Sequence, residues 1–296
     1  MIEGYDGYYN GYFVVYESVF KDCPITNLYL GRKFYCPGSY NPPFKGMNTL
    51  ETVTIGNGVT AIEDVEDYAA GGVFLDCINL TDVIIGDGIQ AIYPATFKDC
   101  KKLKNVTIGN NVEAIYTGAF MGCTSLTNIT IPQSVNLIGD LVFKNTGLIS
   151  ITIPRYVRII GEDVFSSALS SIYLMNKSPF AIPDEKCFTN YHYVNTTLYV
   201  PVGSIEKYKQ AVVWKNFWNI QECDNIGIDD IDESSISLEV MRGGIRLIGA
   251  ERIPIAIYTI NGILVEKIDK YTGEDIFLDK GIYIVSVGNK TMKIKL

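Results

Sequence analysis

Apolar residues recur along this chain at fixed intervals: a phenylalanine, a small residue three positions later, a leucine six later, and a Val-x-Ile pair at nine and eleven. Phe74-Leu-Asp-Cys77, Phe97-Lys-Asp-Cys100, Phe120-Met-Gly-Cys123 and Phe143-Lys-Asn-Thr146 follow one another at steps of 23 residues. A fixed period of that length marks a solenoid, in which each coil buries its apolar face only against the next. Val106-Thr-Ile108 alternates with period two and reads as a strand whose alternate side chains point inward. Reading that strand down the chain gives Leu28-Tyr-Leu30, Val53-Thr-Ile55, Val83-Ile-Ile85, Val106-Thr-Ile108, Ile129-Thr-Ile131, Ile151-Thr-Ile153, Ile172-Tyr-Leu174 and Leu198-Tyr-Val200. These eight rungs predict a mainly β fold, a leucine-rich-repeat solenoid built on a parallel sheet.

Two stretches interrupt the period. Residues 31 to 43 insert a Gly/Pro-rich loop containing Cys36, and residues 63 to 73 insert an acidic one. Residues 13 to 20 align with the coil ends at 91 to 97 and 114 to 120, so the chain is expected to start inside a coil, with more sequence upstream in the natural protein. At the other end, Ser204 is placed to cap a short helix through Val213, and Ile205, Tyr208, Val212, Trp214, Phe217 and Trp218 are the expected cover for the open apolar end.

After Ile220 the pattern changes. Residues 223 to 235 are acidic and unpatterned and read as a linker. From 236 to 296 short alternating runs follow, with Asn261-Gly262 as a two-residue hairpin signal, which predicts a small antiparallel β-sandwich. The expected domains are therefore 1–222, the linker 223–235, and 236–296.

The Phe-x-x-Cys-x-x-Leu-x-x-Val-x-Ile pattern resembles the BspA-like leucine-rich repeats of Bacteroides-type bacteria, and the likeness covers about residues 13 to 222. Tyr258-Thr-Ile-Asn-Gly262, Leu278-Asp-Lys-Gly-Ile-Tyr-Ile-Val285 and Lys293-Ile-Lys-Leu296 resemble the C-terminal sorting domains of type IX secretion cargo. The first resemblance implies a secreted or cell-surface adhesion protein. Its expected partners are host matrix or host-cell proteins, or other bacteria. The second implies export, with the leader absent from this numbering.

Composition narrows the choice further. With 47% apolar and 20% charged residues the chain can bury a large core, and no apolar run approaches the roughly 20 residues that span a bilayer. A net charge of −8 without a basic stripe argues against nucleic acid. The start at Met1 lacks a signal-peptide pattern. Seven cysteines, an odd count, fit poorly with a closed disulfide framework.

Candidate chemistry is sparse. Gly56-Asn-Gly58-Val-Thr-Ala61 and Gly86-Asp-Gly88-Ile-Gln-Ala91 match a dinucleotide fingerprint, but a strand-like segment follows where the pyrophosphate site needs a helix, so both read as turns. His192 is the only histidine and reads as a loop residue; no nucleophile elbow exists, and enzyme activity, metal sites and cofactors are not expected. Cys77, Cys100 and Cys123 share one coil position with Met47 and Thr146, which reads as a packing slot for free thiols. Glu63, Asp64, Glu66 and Asp67 lack the ligand spacing of a calcium loop. The better candidate is the outward side of the strands: Tyr29, Thr54, Thr107, Thr130, Thr152, Tyr173 and Tyr199, with Ile84 among them and Asn27, Asp82, Asn105, Asn128 and Ser171 alongside. Such residues suit any exposed sheet, and tyrosine is enriched at contact sites. Three roles remain open at this point: protein binding by that face, a spacer or export cargo whose sandwich does the specific work, or a glycan-binding module.

Overall fold

A computed structural model of the chain describes residues 8–9, 12–14, 20, 23–31, 34–35, 42–60, 72–182, 185–223, 237–241, 243–248, 255–259, 264–268, 271–287 and 290–296. The acidic stretch Glu63 to Asp67, the linker beyond Cys223 and the Asn261-Gly262 turn lie outside the described residues, as does Cys36. The protein is mainly β, a parallel solenoid of about eight rungs followed by antiparallel sheets. It divides into two compact units, Met1–Gly227 and Ile228–Leu296.

In the first unit the rungs form two four-stranded parallel sheets. One contains Asn27–Leu30, Thr52–Ile55, Asp82–Ile85 and Asn105–Thr107; the other contains Ser150–Ile153, Ser171–Leu174, Thr197–Pro201 and Asn219–Cys223. Two details differ from the expected ladder. Ile129 and Ile131 are buried and Thr130 is exposed, as the alternation requires, yet this coil forms no strand. Position matters here: the residue after a rung, Gly56 or Gly86, donates its N–H to the preceding coil at 2.8 Å, and Pro132 has no N–H to give. The second difference is an added rung, Asn219–Cys223, paired in register with Thr197–Pro201. The expected insertion at 31–43 is also not all loop, since Phe34–Tyr35 pairs in parallel with Tyr12–Val14.

Each coil turns twice more. A second parallel ladder joins Ala91–Ile92, Ala114–Ile115, Leu137–Ile138 and Ile159–Ile160. Between coils the phenylalanines stack ring on ring: centroids lie 5.2 to 6.0 Å apart from Phe20 through Phe44, Phe74, Phe97 and Phe120 to Phe143, with planes within 13°. Two residues after the phenylalanine, Gly46, Asp76, Asp99, Gly122 and Asn145 all have φ between 56° and 77°. Glycine, aspartate and asparagine are the residues that enter this left-handed region at least cost. The conformation has a purpose: the N–H groups of Gly46, Asp76, Asp99 and Gly122 donate to Leu75, Lys98, Met121 and Lys144 of the next coil.

The solenoid end is covered by Asn190–Asn195, Ile205–Gln210 and Trp214–Asn216. Tyr208, Val213, Trp214 and Phe217 are buried; the Tyr208 hydroxyl donates to Asn176 O (2.7 Å) and Trp214 Nε1 to Phe180 O (2.9 Å). The helix is shorter than expected and stops at Gln210, and Ser204 donates its hydroxyl to Lys177 O rather than capping it. Val212 and Trp218 face solvent, at 66% and 78% exposed, and so do not contribute to the cover.

The second unit holds two antiparallel sheets, Ser237–Met241/Gly244–Ile248/Ile276–Phe277 and Leu264–Ile268/Ile255–Thr259/Ile282–Val287/Lys290–Lys295. Ile245, Leu247, Ile255, Ile257, Val285 and Val287 meet in its core around the buried Tyr271. That phenol accepts from Leu247 N–H at 3.2 Å and donates to Glu274 O at 2.6 Å. Arg246 Nε pairs with Asp275 Oδ1 at 2.6 Å, which holds the guanidinium's pKa above its ordinary value.

Candidate binding surface

The outward positions of the rungs are set by register. In the first sheet Tyr29 stands beside Thr54, Thr54 beside Ile84, and Ile84 beside Thr107. In the second, Thr152 stands beside Tyr173, Tyr173 beside Tyr199, and Tyr199 beside Gln221. The structure therefore sorts the candidate residues into two groups, with the exposed Thr130 on the coil between them. Thr107 and Thr152 are exposed, and Thr54, Tyr173 and Tyr199 are half-buried.

Tyr29 and the other two tyrosines offer different surfaces. Tyr29 is 70% exposed, and its ring leans over Gly31 and Gly56: a Cβ on Gly31 would lie 2.9 Å from Tyr29 Cε1, and one on Gly56 2.7 Å from its hydroxyl. The two missing side chains are what let the ring settle across the next coil. Tyr173 and Tyr199 instead stack on each other, with centroids 4.6 Å apart and planes within 8°. Their facing surfaces are spent on that contact, and their edges and hydroxyls are what a partner meets.

The polar neighbours are partly committed to the fold. Thr52 Oγ1 donates to Asn27 Oδ1 (2.5 Å), Asn105 Nδ2 to Asp82 Oδ1 (2.6 Å) and Asn219 Nδ2 to Thr197 Oγ1 (2.8 Å), each bond joining adjacent coils. The Gly-x-Gly stretches are turns leading into the next segment of the coil rather than into a helix. Gly88 is required by close approach, since a Cβ there would lie 2.3 Å from Asn57 O.

The remaining candidates for chemistry are structural. His192 is not on a loop: it is buried in the Asn190–Asn195 helix, with Nδ1 accepting from Thr189 N–H (3.1 Å) and Nε2 donating to Ser166 O (3.0 Å). Cys77, Cys100 and Cys123 are free and buried, and their thiols donate to Phe44 O, Phe74 O and Phe97 O of the preceding coil at 3.0 to 3.1 Å. Burial pushes the Cys77 and Cys123 pKa values up to about 12, and that of Cys100 well up as well, so the thiolate is excluded at neutral pH. Among the described residues no group of three or more His, Cys, Asp or Glu gathers for a metal, and no helix is long and apolar enough to cross a membrane.

Sequence reasoning missed Gln221, because the closing segment was not read as a rung. It also missed an apolar group at the solenoid end, where Trp218 N–H donates to Tyr193 O and so lies beside the exposed Val194. The alternation of exposed Tyr191 and Val194 on one short helix was the available signal.

Residues 44–173 match the BspA type leucine rich repeat region, in six copies. These BspA-type copies span the Phe-x-x-Cys coils and stop at Tyr173, short of the last two rungs and the cap. No curated protein matches the chain. Among solved structures it is similar to a Treponema pallidum leucine rich repeat protein (20% identity, TM-score 0.37, 54% of this chain and 62% of that one). It is also similar to a leucine-rich repeat protein from Bacteroides ovatus (18%, 0.37, 71% and 64%) and a leucine rich cell surface protein from Faecalibacterium prausnitzii (15%, 0.32, 72% and 83%). The chain thus spans less than two thirds of the length of the first two.

Proposed function

We propose that this protein is a secreted or cell-surface binding protein whose solenoid holds out the patch Thr152, Tyr173, Tyr199 and Gln221 to a protein partner. The supporting observation is the stacked tyrosine pair: two half-exposed aromatic side chains, in register on the outward side of the sheet, with no part in the core. Aromatic anchors of this kind dominate protein interfaces because they remove much apolar area from water at low conformational cost. Partners on host matrix, host cells or other bacteria, and export through the tail, rest on the sequence resemblances alone.

The test is the double variant Tyr173→Thr/Tyr199→Thr, chosen because threonine already occupies other rungs. Capture would be measured on immobilised extracellular-matrix proteins, mucin and whole bacterial cells. Each lost anchor should weaken binding by about 2 kcal/mol, against about 1 kcal/mol of stability for the lost ring contact. Undiminished capture by the double variant would reject the patch. A second reading, glycan capture at the open ring of Tyr29, is favoured by its 70% exposure. It predicts glycan-array signals that Tyr29→Ala removes and the double variant leaves intact.

A further inference from the structure

The stacked tyrosine pair has chemistry of its own, independent of any partner. We propose that Tyr173 and Tyr199 are an oxidative cross-linking site, at which hydrogen peroxide and a haem peroxidase join the two phenols into a dityrosine bridge between neighbouring coils. Each phenol loses one electron and its hydroxyl proton to give a phenoxyl radical. The two radicals couple through a carbon–carbon bond between ring carbons ortho to the oxygens, and each ring then passes its displaced hydrogen to its own oxygen. Two hydrogens leave the protein in all, and one peroxide becomes two waters.

Geometry favours this pair over the alternatives. The strands carrying the two residues are parallel and in register, so the rings are held 4.6 Å apart and within 8° of parallel by the backbone itself. Both side chains are half-buried, open enough for electron transfer to an external oxidant yet too constrained to drift apart. Tyr93 and Tyr116 stand on adjacent coils as well, but at 6.1 Å and tilted by 41°. Tyr208 and Tyr271 are buried with their hydroxyls donated to backbone carbonyls. Tyr29, Tyr156 and Tyr191 are exposed, with no tyrosine among their recorded ring neighbours, and feed only coupling between molecules. The bridge would fasten the Ser171–Leu174 rung to the Thr197–Pro201 rung, at the end of the solenoid where the cap begins.

The experiment treats the full chain at micromolar concentration with horseradish-type haem peroxidase and hydrogen peroxide, and reads intact mass, dityrosine fluorescence and cross-linked peptides. The expected product is a monomer two hydrogens lighter, whose linked peptides contain Tyr173 and Tyr199. It should exceed cross-linked dimer by about 100-fold or more, because a preoriented pair competes against micromolar collisions. Tyr173→Phe and Tyr199→Phe each keep the ring and its stack but remove the phenol, and each should abolish the monomeric product. Dimer alone, a link mapped to Tyr93 and Tyr116, or a monomeric product that survives Tyr199→Phe would overturn the proposal.

Discussion

The phenylalanine spine and the cap are built from the same kind of side chain arranged in opposite ways. Along the spine each ring is its neighbour displaced by one coil, so planes stay within 13° from Phe20 to Phe143 and again, at 9°, between Phe165 and Phe188. In the cap the rings meet nearly at right angles: Phe188 with Phe217 at 79°, Tyr193 with Phe217 at 80°, Tyr208 with Trp214 at 83°. Phe188 belongs to both, stacked on one side and met by an edge on the other. A parallel stack presents at its end the same face that it presents inside, and therefore always has room for one more coil. Edge-to-face packing uses the ring perimeter and leaves no such face, which is how a repeat is brought to a stop.

If the cap is what terminates the stack, its loss should unravel the solenoid from that end. Trp214→Ala removes a fully buried indole and its bond to Phe180 O, and should cost about 4 kcal/mol in denaturant unfolding. Hydrogen exchange should then accelerate in the rungs at 171–223 before those at 82–107. Equal acceleration in both would mean that the coils unfold as one block and that the contrast between spine and cap has no energetic content.

The spine makes its own prediction through the cysteines beside it. Their folded pKa values lie above the unfolded ones, so the neutral thiol is favoured by the fold. The associated stability is complete below the unfolded pKa, and it is lost as pH rises from there toward the folded value of about 12. For Cys77, Cys100 and Cys123 together the loss should reach roughly 2 to 3 kcal/mol by pH 9, and replacing all three by alanine should flatten that part of the profile. Cys100→Ser should cost only about 1 kcal/mol, because its hydroxyl finds the acceptor Phe74 O already in place.

The smallest effect lies in the backbone. Two residues before the phenylalanine, Ala95, Gly118, Leu141 and Asp163 are all left-handed, with φ of 48° to 63°, and each donates its N–H to the next coil. Ala95→Asn should stabilise by about 0.5 kcal/mol and Gly118→Ala should destabilise by about 1 kcal/mol. A stabilising Gly118→Ala would show that these turns carry no conformational strain.

The spine was legible in the sequence because translation repeats a residue as well as a position, and burial at each repeat demands the same chemistry. The cap was legible only as a supply of aromatics. Nothing in a single copy of Val212-Val213-Trp214 says which valine turns inward, and the choice depends on Val213 taking φ of 69° while Val212 stays in solvent. The Asn219–Cys223 rung was hidden for a similar reason. Its inward residues are Ile220 and Glu222's neighbours Gln221 and Cys223 are polar or small, so the apolar alternation that announced the other rungs is lost, while pairing with Thr197–Pro201 supplies the order instead. The outward face was readable by period alone, but its division at Thr130 required knowing that Pro132 withholds a hydrogen bond. His192 was misplaced because a lone histidine carries no periodicity.

The rung hydrogen bonds all run along the direction in which the coils are stacked. A tether pulled in that direction loads the bonds of one rung at a time, as in opening a zipper, rather than all of them in shear. Each coil that yields exchanges a spacing of about 4.8 Å for roughly 80 Å of extended chain, since a repeat holds 23 residues. Under tension the solenoid therefore lengthens in steps at modest force, paying out chain while the coils that have not yet opened keep their surface intact.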